Sequence, residues 1–156
     1  MGSAELVAFL AAVHAVAASV WVGAVFMGAI IDWPAARASV EPQHFPFGFI
    51  VGQGHRVFTY VYSGIALVFV SGAALLWLKP PESPAALALV ALKGFALLVM
   101  TANTLYGSLR TWPTLQFASH REAQGLYRGY MLRAYITFGA GVLGIALGAV
   151  LAHLQG

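Results

Sequence analysis

Residues 85–109 read AALALVALKGFALLVMTANTLYGSL, and this stretch decides the fold. It exceeds the roughly 20 apolar residues that carry a helix across a bilayer, and Lys93 is the one charged residue inside it. Both faces are apolar, which suits a lipid-embedded helix better than an amphipathic surface one. The run is rich in alanine and leucine and lacks the period-two alternation of a strand. Three further runs of the same kind, 6–31, 57–78 and 134–153, surround it. The expectation is an all-α integral membrane four-helix bundle, a single domain spanning residues 1–156.

The connections set the topology. Lys79-Pro80-Pro81-Glu82-Ser83-Pro84 is a short, proline-stiffened turn that makes the second and third spans antiparallel neighbours. The two longer connections, 32–56 and 110–133, then fall on the opposite side, and their aromatics (Phe45, Phe47, Phe49, Phe117, Tyr127, Tyr130) are expected to lie along the interface. Trp33 and Trp112 would mark that interface and Trp77 the other, as in an aromatic belt. Arg37, Arg56, Arg110, Arg121, Arg128 and Arg133 all belong to the long-connection side, whereas the turn side holds Lys79. The positive-inside rule then places the long connections in the cytoplasm and both termini outside, in an up-down multi-pass protein of a bacterial inner (plasma) membrane.

Composition removes other classes. The chain is 60% hydrophobic and 8% charged, against roughly a quarter charged in soluble domains. The absence of cysteine excludes disulfides, thiolate metal sites and cysteine nucleophiles. A dispersed net charge of +3, with no polybasic arm, argues against a nucleic-acid partner. The first apolar run is too long for a cleaved signal peptide and reads as a retained span.

Two ionisable residues lie within the spans, where they are costly and mark a partner or a cavity. His14 stands eight residues past the start of the first span and Lys93 eight past the start of the third. Both spans begin on the same side, so at 1.5 Å per residue each side chain sits roughly 12 Å deep. Around His14 the same helix face carries Leu10, Ala11, Ala17 and Ala18, with Trp21 two turns on, and the fourth span adds Gly141, Gly144 and Gly148. Such small residues let a helix or a flat guest approach closely. Ordinary roles stand beside these: His14 bonded to a neighbouring helix, Lys93 snorkelling to headgroups, and Gly144 with Gly148 as a helix-packing pair. Asn103, Thr104 and Tyr106 either line a cytoplasmic-side cavity or bond helix to helix. His55-Arg56 meets lipid headgroups or a substrate anion, and His44, His120 and His153 fall in loops or at a helix end.

The run from His14 to Trp21-Val22-Gly23 resembles the first helix of the CopD-like membrane proteins, in which a histidine is followed seven residues later by Trp-x-Gly. Residues 91–97, ALKGFAL, continuing to Trp112-Pro113, resemble their lysine-bearing third helix, and Val70-Ser71-Gly72 fits the end of the second. The same histidine-plus-lysine layout on four helices is similar to HemJ-type protoporphyrinogen oxidases, which bind b-type haem. The resemblance implies His14 as an axial haem ligand, Lys93 as either a second ligand or a propionate partner, and Ala18, Trp21, Gly141 and Gly144 as the walls of the cofactor site. It implies a redox role: electron transfer, or oxidation of a porphyrinogen- or quinol-like substrate. Two other readings remain open. One is a CopD-like copper uptake or tolerance protein. The other is a cofactor-free accessory subunit of a larger membrane complex, and a homodimer through the glycine-striped fourth helix is compatible with each.

Overall fold

The computed structural model describes residues 2–155, apart from the side chains of His55 and Gln155. Helix α1 (Ser3–Phe26) runs through a π-helical turn, Met27–Asp32, into α2 (Trp33–Ala38). Helix α3 (Phe47–Leu78) follows. Helix α4 (Pro84–Tyr106) runs through a second π-helical turn, Gly107–Thr111, into α5 (Trp112–Leu115), and α6 (His120–Gln155) ends the described chain. Four segments are long and apolar enough to cross a membrane: Ser3–Ala38, Phe47–Leu78, Pro84–Leu115 and His120–Leu154. No strand occurs among the described residues. The turn before α4 is built as its sequence suggests: the Ser83 side chain accepts from the Ala86 N–H at 3.1 Å, and Pro84 begins the helix where no N–H is needed.

The helices run well past the apolar runs. Helix α3 begins at Phe47 and α6 at His120, so much of the two expected long loops is helical. The reason is amphipathicity. In the first part of α6, Ala123, Tyr127 and Met131 repeat every fourth residue and are buried, while Arg121, Glu122 and Arg128 face outward. The buried stripe packs against Ala29, Ala36, Phe45, Ile50, Trp112 and Leu115 to close the arginine-rich end of the bundle. Trp33 and Trp112 therefore do not form a belt there. Trp112 is buried against Phe58 and Tyr130, and the Trp33 ring stands 4.4 Å from that of Tyr127. Trp77, at the other end, is 86% exposed, as an interfacial tryptophan should be.

The two halves of the chain share a device. Gly28-Ala-Ile-Ile-Asp-Trp33-Pro34 and Gly107-Ser-Leu-Arg-Thr-Trp112-Pro113 repeat Gly-x4-Trp-Pro, 79 positions apart. In each, the tryptophan N–H bonds to the glycine carbonyl five residues back. Each proline lacks an N–H, and its ring clashes with the carbonyl four residues earlier. The helix absorbs this by taking in one extra residue as a π turn. The residue before each tryptophan is bonded across to the next long helix: Asp32 accepts from Gln53 of α3, and Thr111 accepts from Arg133 of α6 at 3.0 Å. The spacing also makes His14 and Lys93 equivalent, each 19 residues before its tryptophan. Ala17 and Ala96, equally matched, are both buried.

Candidate functional site

His14 projects from α1 onto α3, where its Nδ1 lies 2.9 Å from Ser71 Oγ. The Ser71 hydroxyl donates to the Leu67 carbonyl at 2.5 Å, so its oxygen is left to accept from His14 Nδ1–H. Neutral imidazole has one N–H, and this network assigns it to Nδ1. Nε2 keeps its lone pair. Gly72 makes the approach possible, because a Cβ there would stand 3.2 Å from His14 Cε1. The bond to a neighbouring helix, one of the ordinary roles for this histidine, is therefore present, and among the described residues no side-chain partner is found for the other nitrogen.

Lys93 is placed in the same way in the other half. It projects from α4 onto α6, with Nζ 3.0 Å from where a Cβ on Gly148 would be. Gly148 is thus a berth for the lysine rather than a bare packing stripe. Two turns away, a Cβ on Gly141 would overlap Val22 of α1 and stand 3.1 Å from Met100 Cε of α4. Met100 is seven residues from Lys93, Gly148 seven from Gly141, and His14 eight from Val22. Residue numbers rise along α1 as they fall along α6, from Val22 with Gly141 to Phe26 with Phe138 and Trp33 with Tyr127. His14 and Lys93 accordingly share one layer, about 10 Å from the Val22–Gly141–Met100 layer.

The remaining expected site residues separate. Trp21 is buried at 1% exposure, with its Cβ against Gly64 of α3, and it packs with Val22, Val61 and Met100. Gly141 belongs to the same layer and is filled by its neighbours. Ala18 is half-buried between the layers. Gly144 has nothing within 4 Å of a Cβ position. The histidine–lysine layer therefore stands apart from Trp21 and Gly141, which pack in the adjacent layer. Among the described residues, no three His, Asp or Glu side chains gather as a ready cage for a free metal ion.

A cavity lies toward the arginine-rich end, between the two repeats and beside both π turns. It offers about 80 Å³ of water-accessible space, enough for several waters. Its polar wall includes Gln53, Asn103, Thr104, Trp112, Tyr130 and Arg133. Tyr106 does not line it; its ring carries the Arg133 guanidinium, with Cζ 4.4 Å from the ring centroid. The His55 side chain lies outside the described residues. His120 accepts the Phe45 N–H at 2.9 Å and His44 stands 3.5 Å from Glu41, and both histidines are exposed. Sequence reading passed over the role of Arg133 here; the twice-used Gly-x4-Trp-Pro was the available signal. Comparison with protein-family models, curated proteins and solved structures finds no match to this chain.

Proposed function

We propose that this is a b-type haem-binding protein of a bacterial inner membrane with a redox role: electron transfer, or oxidation of a porphyrinogen- or quinol-like substrate. The reading includes kinship with the CopD-like and HemJ-type proteins and an antiparallel up-down bundle with both termini outside. The gathering of six arginines toward one end supports that orientation, as does the opposed residue order of the contacting helices. The observation that carries the proposal is the Leu67–Ser71–His14 chain of hydrogen bonds. An axial histidine needs its outer N–H held by an acceptor and its other nitrogen bare, and this network supplies both conditions.

The donor set fits the group. His14 would hold the iron through Nε2, Ser71 would hold the ring, and Lys93, in the same layer, would either ligate or pair with a propionate. Bound there, a b-type haem would supply a one-electron couple in the bilayer. The protein's share is to orient the imidazole, to keep water out with Trp21 and Met100, and to seat the lysine against Gly148. Copper handling draws less from the structure, since Met27 and Met100 stand on different helices and soft copper(I) prefers clustered sulfur.

The test is an absorption spectrum of detergent-purified protein from haem-supplied cells, oxidised and dithionite-reduced, with a pyridine haemochrome assay. The expected result is a Soret band with b-type α and β bands at near-stoichiometric haem. A flat visible spectrum would discard the proposal in favour of a copper-handling or accessory role. Ser71→Ala should lower haem affinity by about tenfold, the scale of losing a histidine's outer partner. Release to apomyoglobin measures this, and an unchanged release rate would remove Ser71 from the site.

A further inference from the structure

We propose that the cavity between the two repeats binds a short-chain aliphatic monocarboxylate, with Arg133 as its anion receptor. This does not depend on haem. Arg133 lines the cavity and is half-buried in a membrane-spanning helix. Among the described residues, no carboxylate lies within ion-pair distance of it. One guanidinium nitrogen donates to Thr111 at 3.0 Å, and its Nε–H is buried with no protein acceptor. Trp112, on the same wall, likewise carries a buried indole N–H without a partner. The guanidinium is half-exposed and stacks on Tyr106 at 4.4 Å, but ring stacking gives a buried N–H no acceptor, so two donors on this wall await one. Asp32, on the neighbouring π turn, is engaged by Gln53 of the cavity wall.

The chemistry of the ligand follows from the rest of the wall. Val57, Phe58, Val61 and Met131 make it largely apolar, and about 80 Å³ suits a short alkyl chain, whereas a single aromatic ring takes roughly 150 Å³. A phosphate or dicarboxylate would bring more charge than one guanidinium offsets, and its second charge would be desolvated without a partner. A monocarboxylate supplies one charge and two acceptor oxygens to a group rich in donors. The other arginines at this end, Arg37 and Arg110 among them, raise the local concentration of anions.

Calorimetry on the detergent-purified full chain with propionate, and with 1-propanol as its neutral counterpart, tests the proposal. Propionate is expected to bind roughly tenfold or more tightly than the alcohol. Arg133→Gln should bring the two within about twofold of one another, with elution volume and melting curve checking that the variant is folded. Gly28→Leu fills the cavity from the other repeat: Gly28 lines it, and a Cβ there meets nothing within 4 Å. This variant should bind neither compound, and it keeps the test open should Arg133→Gln fail to fold. Equal binding of acid and alcohol by the parent protein would overturn the proposal. So would binding of neither, or propionate binding that survives Gly28→Leu.

Discussion

His14→Ala, purified from haem-supplied cells, is expected to be colourless. The imidazole is the group in its layer whose bare nitrogen is already fixed by the protein, through Nδ1–H to Ser71 and the Ser71 hydroxyl to Leu67. Alanine removes the proposed iron ligand and leaves Ser71 satisfied by Leu67, so the helices should pack as before and any loss should be confined to the cofactor. Haem content should fall by about tenfold or more, since losing only a second partner of a ligating histidine already weakens binding by 10 to 100-fold. His14→Gln is the informative companion, because it keeps a side chain able to bond Ser71 while offering iron a poor ligand. Full haem occupancy in His14→Ala, read by pyridine haemochrome, would refute the ligand assignment. Near-parent occupancy in the glutamine variant would mean that packing rather than coordination retains the group.

The largest expected effect on stability is at Gly54. A Cβ there would collide with the Trp112 indole, standing 2.5 Å from Cε2 and 2.6 Å from Cη2. The ring cannot swing away, because Trp112 is buried between Phe58 and Tyr130 and belongs to the cluster that closes the arginine-rich end. Overpacking of this kind costs about 1–3 kcal/mol, so Gly54→Ala should melt several degrees below the parent in detergent. Gly52→Ala, two residues earlier on α3, has nothing within 4 Å of its Cβ. It should hold or gain stability, because alanine is the better helix former by about 1 kcal/mol. A Gly54→Ala protein as stable as Gly52→Ala would show that the indole is not held where the structure has it.

The four apolar segments were legible in the sequence because a bilayer imposes a length and leaves little room for polar residues. That His14 and Lys93 share a layer was legible for a related reason: helical rise is fixed, so counting from the span ends is measuring. What counting cannot supply is lateral placement. Ser71 and Gly148 each sit beside a residue more than fifty positions away, and nothing in their own surroundings singles out that neighbour. The expected loops failed for another reason. Residues 120–133 are polar enough to read as a connection, yet the four-residue spacing of Ala123, Tyr127 and Met131 is the mark of a half-buried helix. Trp33 and Trp112 were read by residue type as belt residues, when the proline after each was the stronger signal. A tryptophan locked to a π turn is aimed by the backbone.

The shared Gly-x4-Trp-Pro device has a bearing on ancestry. Two copies of one helical hairpin, joined through the proline turn, would start life with the same side chain at both positions nineteen residues ahead of the tryptophan. This chain now carries an imidazole at one and an amine at the other, each berthed on a glycine of its own hairpin. Had both hairpins come from one, this single level is where they would have parted, and whatever meets it there meets two different chemistries in symmetric settings.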